Sequence, residues 1–285
     1  MTSLSSPAEQ IEEQKQNNRS ALPHESWFAS HRRRLTDLIC ARAVPGQAGR
    51  LCVLGAGNCF DLELERLAQS FAEVHLVDID RAALEQARVA QDAAVRSRLV
   101  LHELELSGLH QELLAWRDMR TTPEAMMKVP SVASKRIADA LPGGFEVVVS
   151  ACLLSQLQFS LRAVLGDRHQ LFEAARQLQN LVHLRTLARL LAAGGSALLV
   201  SDLTSELNHP LHELEPDADL IALLHELVRL GKVIYAVNPE LLAFTAREDP
   251  YLARHVEALP VRDAWLWQNG PERTFLVYAL ELRRR

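Results

Sequence analysis

The sequence predicts an α/β fold: a mostly parallel sheet with helices on both faces. Two observations lead there. After Gly49, short apolar runs alternate with longer segments of helical periodicity, the pattern of strands joined by crossover helices. One run, residues 145–150 (FEVVVS), is apolar almost throughout, as a central strand covered on both faces must be.

Taken in order, residues 1–22 are polar, rich in Gln, Glu, Ser and Asn, and are expected to form a mobile tail. Phe28, Leu35, Leu38 and Ile39 then recur at helical spacing with Arg32, Arg33 and Arg34 between them, so a lid-like amphipathic helix is expected within 23–45, ended by Pro45-Gly46. Residues 51–54 read as the first strand, and a helix opening near Asp61 follows. Residues 74–77 read as the second strand, 82–95 as helix and 99–106 as the third strand. Residues 107–144 form a polar connection with helical stretches, punctuated at Pro123, Pro130 and Pro142. After the 145–150 strand, a long helix over 169–192 is stopped by Gly194-Gly195, and 197–200 is the fifth strand. Residues 203–257 read as mostly helical, and 264–267 with 274–282 form a terminal hairpin about Asn269-Gly270.

Composition narrows the function. With 285 residues the chain can bury about three quarters of its unfolded surface and needs no disulfide or metal staple. Net charge is 31 − 36 = −5, which offers no basic footprint for nucleic acid or an anionic membrane. The four cysteines, Cys40, Cys52, Cys59 and Cys152, form no C-x-x-C pair, so neither zinc nor a disulfide framework is expected. No secretory leader and no membrane-length apolar run is visible. A cytoplasmic protein, monomer or homodimer, is the expectation.

The informative element is strand, then Gly55-Ala56-Gly57, then helix, with Asp78 at the end of the next strand. Glycines let the backbone approach a ligand closely, and the following helix aims free N–H groups at it. Asp78, 23 residues after Gly55, is placed to accept both hydroxyls of a ribose. A nucleoside site follows. Phe60 stands at the third glycine position of the dinucleotide motif, which disfavours an NAD-dependent oxidoreductase without removing it.

Here the sequence resembles the class I S-adenosylmethionine-dependent methyltransferases. VLGAGN (53–58) looks like their first motif, LVDID (76–80) their ribose acid and FEVVVSACLL (145–154) their fourth strand. LLAAGGSALLVSD (190–202) and WLWQNGPERTFLVYALEL (265–282) are similar to their fifth strand and reversed last strand. The resemblance covers 46–283 and implies a three-layer Rossmann-like fold: a seven-stranded, mostly parallel sheet with a C-terminal antiparallel hairpin, in one domain over 46–285. It implies S-adenosylmethionine as cofactor, with no metal. Gly55, Ala56, Gly57, Asn58, Asp78 and Ile79 would hold it, adenine would lie beside Glu105 and Leu106, and its methionine end would pass Ser150, Ala151 and Cys152. The sequence departs from the family at Val53, where an acid usually stands, and at Cys59, where a third glycine does. Asn58 and Asp61 are the nearby polar substitutes, although Asp61 also reads as a helix cap. A non-catalytic, methyltransferase-like binding module therefore stays open.

The acceptor is expected to be a small molecule methylated on oxygen or nitrogen by in-line transfer, not nucleic acid. An Asn-Pro-Pro-Tyr signature is absent after the fourth strand. A base, if one is used, must come from the ends of strands four and five or from the N-terminal helix, which gives His31, Asp202 and His209. Trp27, His31, Tyr235, Trp265 and Trp267 are candidates to wall the acceptor, with core packing the alternative fate of the rings.

Overall fold

The computed structural model describes residues 4–44, 49–270 and 273–285. The turns expected at Pro45-Gly46 and at Pro271 lie in part outside these residues, as does the side chain of Tyr235.

The strands are β1 (Arg50–Leu54), β2 (Glu73–Asp78), β3 (Leu99–Glu103), β4 (Phe145–Ala151), β5 (Leu191–Ser205), β6 (Val256–Ala258), β7 (Asp263–Gln268) and β8 (Thr274–Arg284). They form one sheet ordered β3-β2-β1-β4-β5-β8-β6, with β7 also paired to β8. The first five are parallel, and β8 runs antiparallel to β5. β6 lies against 282–284 of β8 and β7 against 274–279, so both occupy one edge. Pro260, which has no N–H for the ladder, stands between them. Eight strands therefore fill seven positions.

The helices are α1 (Pro7–Ala21), α2 (Ala29–Cys40), α3 (Leu64–Ser70), α4 (Arg81–Val89), α5 (Ala93–Arg96), α6 (His110–Arg117), α7 (Pro123–Asp139), α8 (Leu153–Leu165), α9 (Phe172–Leu190), α10 (Leu220–Arg229), α11 (Pro239–Glu248) and α12 (Leu252–His255). Period-two alternation splits the strands between two cores. Leu51, Val53, Val147 and Val149 pack with α2 to α5, while Cys52, Leu54 and Val148 pack with α6 to α12.

Four sequence expectations change. The polar tail is α1 over residues 7–21: Ser6 and Glu9 close a reciprocal capping box, Ser6 N–H to Glu9 Oε2 at 2.6 Å and Glu9 N–H to Ser6 Oγ at 3.2 Å. The helix expected within 23–45 is a 3₁₀ segment (Leu22–Phe28) leading into α2. Pro130 does not break α7, because Met126, Val129, Pro130, Ala133 and Ile137 bury at helical spacing and tertiary packing overrides the lost bond.

Gly194-Gly195 does not stop α9. The helix ends at Leu190, and the pair lies inside β5, in a register shift against β4. A Cβ on Gly195 would stand 2.9 Å from the carbonyl oxygens of Phe145 and Glu146, so close backbone approach demands glycine. The helix α8, immediately after β4, has no counterpart in the sequence reading.

Candidate active site

The site is built at the carboxyl ends of β1 to β5, where open α/β sheets hold their ligands. Gly55 has φ +78°, and a Cβ there would meet Leu153 Cβ at 2.9 Å, so no other residue lets α8 start this close to β1. The N–H groups of Gly55 and Ala56 donate to Val77 O at 2.9 and 3.1 Å and tie the turn to β2. Gly57 N–H donates to Asp78 Oδ2, and Asp80 N–H to Asp78 Oδ1, each at 2.9 Å. Burial pushes the Asp78 carboxyl up, and these N–H groups oppose it. Each oxygen keeps a further lone pair for a ligand hydroxyl.

Beside Asp78 opens a cavity whose empty volume, with the open solvent at its mouth included, is about 790 Å³. Asp78, Ile79, Glu105 and Leu106 line one wall, α6 and α8 the others, and Gln10, Gln14 and Asn18 of α1 the roof. Glu105 also shapes its own turn, accepting from Ser107 N–H at 2.5 Å and Gly108 N–H at 3.1 Å. Asn58 Nδ2 donates to the Asn18 carbonyl at 2.6 Å. The residues expected at the mouth of β4 are sunk beneath the cavity. Ser150 is fully buried and bonded through Oγ to His183 Nε2 at 2.9 Å, and Ala151 and Cys152 are also buried. Burial lowers His183 to about 4, so that ring is neutral.

A row of acids runs along the same edge of the sheet. Burial lifts Asp61 to about 7, and the Asp78 charge adds to the rise while Arg32 opposes it. Cys152 is held up by burial and by the charges of Asp202 and Asp61. Asp202 is lifted to about 6 by burial, against the pull of Ser155, Arg273 and Ser201. It is buried, and its Oδ1 has no hydrogen-bond partner. Carboxylates from β2, the β1–α3 turn and β5 thus share one neighbourhood. Among the described residues no His/Cys/Asp/Glu group suited to a metal is found.

The aromatic candidates meet, but against one another. Trp265 Nε1–H donates to His31 Nδ1 at 3.0 Å, and the His31 ring stacks on Trp267 with centroids 4.3 Å apart. Phe28 touches both Trp267 and Phe60, at 5.3 and 5.8 Å. His31 is fully buried and burial lowers it to about 3. Its one acceptor nitrogen is taken by Trp265, so no lone pair is left to receive a proton. Trp265 and Trp267 are buried too, and Trp27 packs by Gly270. These rings form a closed patch of core, the alternative to an acceptor wall. His209 sits half-buried in the turn after β5, its N–H donating to Ser205 O at 3.2 Å.

What the sequence reading missed is α1 and His183. The S-x-x-E box at Ser6 was the legible signal for the helix; nothing local marks its docking.

A sheet ordered 3-2-1-4-5 with one antiparallel strand inserted next to the fifth is the class I methyltransferase fold, of Rossmann-like three-layer type. No family model matches the chain, and no curated protein does. Solved structures do. One is an arsenic(III) S-adenosylmethionine methyltransferase from Chlamydomonas reinhardtii, 16% identical, covering 84% of this chain and 65% of its own, with a TM-score of 0.42. A putative methyltransferase from Streptococcus mutans in complex with SAH is 9% identical, covering 89% and 97%, with a TM-score of 0.43. A 16S rRNA (adenine(1408)-N(1))-methyltransferase from Catenulisporales acidiphilia is 14% identical, covering 86% and 91%, with a TM-score of 0.40. The chain spans less than two thirds of the algal enzyme's length. The fold assignment rests on the strand order.

Proposed function

We propose that this chain is an S-adenosylmethionine-dependent methyltransferase acting on oxygen or nitrogen of a small molecule, in the cytoplasm. The observation that carries this is Asp78 in the cavity wall, with Asp61 and Asp202 in electrostatic reach at the same end of the sheet. A nucleoside with cationic ammonium and sulfonium groups complements Asp78, Asp61 and Asp202, whereas the pyrophosphate of a dinucleotide would be repelled by them. The residues fit the cofactor: Asp78 has lone pairs for ribose hydroxyls, Ile79 and Leu106 offer apolar surface for adenine, and Asp61, in electrostatic reach of Asp78, would supply the carboxylate that Val53 lacks.

Bound there, S-adenosylmethionine would supply an electrophilic methyl carbon and depart as a neutral thioether. The chain's own task is alignment, which contributes several kcal/mol of barrier reduction, and removal of the acceptor's proton. Of the three candidate bases, Asp202 has the unpartnered oxygen for that proton, and His31 has no free lone pair.

Calorimetric titration with S-adenosylhomocysteine and, separately, with NAD tests the reading. Micromolar binding of the first and none of the second is expected. Binding of NAD alone would overturn it, and binding without turnover on any acceptor would point to a non-catalytic module.

A further inference from the structure

The helix α1 is polar on nearly every face, and only Pro7 and Gln10 of it are buried. A helix of 15 residues with so little apolar surface is marginal on its own. It is nevertheless pinned at both ends. Ser5 N–H donates to Ala163 O at 3.0 Å, and Arg117 Nη1 to Ser5 O at 3.3 Å. At the other end Asn18 Nδ2 donates to Asp80 Oδ2 at 3.2 Å, and the Asn18 carbonyl accepts from Asn58. Asn18 Oδ1 lies 3.0 Å from where a Gly57 Cβ would stand, so α1 packs closely on the glycine turn.

Between the two pins, Gln10, Gln14 and Asn18 fall at i, i+4 and i+8, on one face. All three line the cavity opposite Asp78 and Glu105. The Gln14 amide bonds no protein group among the described residues, so its donors and acceptor are free for whatever fills the cavity. The floor is acidic and repels a carboxylate, so a ligand with both ammonium and carboxylate groups needs N–H donors elsewhere for the latter. Neutral amides supply them without adding charge.

The geometry points to α1 as part of the binding site: the Gln14 and Asn18 amides take the carboxylate of the cofactor's amino-acid end. This rests on the proposed cofactor. It assigns a binding role to a segment whose sequence reads as a tail.

The test compares two probes. S-adenosylhomocysteine carries the amino-acid end, and 5′-methylthioadenosine lacks it. Calorimetry on the full chain and on Gln14→Ala and Asn18→Ala is expected to show S-adenosylhomocysteine weakened about tenfold by either substitution, with 5′-methylthioadenosine within about twofold. Gln14→Ala breaks no hydrogen bond among the described residues, so its melting temperature should match the parent's. Trypsin provides a second measurement at Lys15 and Arg19, where S-adenosylhomocysteine should slow cleavage and 5′-methylthioadenosine should slow it less. Equal weakening of both probes, no weakening of either, or cleavage indifferent to S-adenosylhomocysteine would overturn the inference while the cofactor reading stands. A parent chain that binds no S-adenosylhomocysteine would take down both.

Discussion

Trp265 donates its indole N–H to Nδ1 of His31, joining the last hairpin to the N-terminal helical segment across 234 residues of sequence. The bond also sets the tautomer: the His31 proton sits on Nε2, which has no partner. A buried ring held this way resists protonation. Its folded pKa of about 3 lies below the unfolded value of 6.5, so its contribution to stability is present above 6.5 and lost as pH falls towards 3. From pH 7 to 5 the parent should lose about 2 kcal/mol more than His31→Gln, which keeps an acceptor for Trp265. Urea unfolding at both pH values reads this directly. Equal losses would place the charge-sensitive group elsewhere.

Asp78→Ala removes the acceptor for the N–H groups of Gly57 and Asp80 as well as for the ribose. Affinity for S-adenosylhomocysteine should fall at least tenfold, about 1.4 kcal/mol, with circular dichroism unchanged. A calorimetric change under threefold would move the ribose away from this carboxylate.

Asp202 works against folding. Its pKa is raised to about 6, so the stability tied to its protonated form is complete below about 3.8 and lost as pH rises through 6. That rise corresponds to about 3 kcal/mol at pH 8 as an upper figure. Asp202→Asn should therefore raise the melting temperature at pH 8, leave it nearly unchanged at pH 4, and lower kcat by at least a hundredfold on a true acceptor. A variant that is more stable and equally active would remove Asp202 from the chemistry.

Trp267 belongs to the closed ring cluster, against His31, Phe28 and Phe275. Truncation to alanine should cost about 3–5 kcal/mol, in the range for a large buried aromatic. Thermal unfolding checks this. A melting temperature within 2 °C of the parent's would return Trp267 to the acceptor wall.

The succession of strands and helices was readable because each apolar run fixes a strand locally and each crossover helix sets the next one parallel. The glycine turn and Asp78 were readable for a similar reason: the nucleoside motif is short-range, with every member within 23 residues of Gly55. The Gly194-Gly195 pair shows where such reasoning stops. Locally it looks like a helix stop, but its cause is the backbone of β4, more than forty residues earlier in the chain. The N-terminal segment failed for the opposite reason. Its few apolar residues gave no periodic signal, because α1 docks through its two pinned ends and a strip of amides, with Pro7 its only buried apolar residue.

By itself, then, the sequence determined the run of strands and crossover helices and a nucleoside-shaped turn, because these follow from hydrophobic period and glycine conformation over short spans. Only the tertiary structure decided which polar groups face the cavity and which are spent inside the protein. His31 was committed to Trp265, and Ser150 to His183, while Asp202 kept an oxygen open. Each of those outcomes depends on a partner or a gap supplied by a distant element, and hydrogen bonds across such separations leave no trace in local spacing.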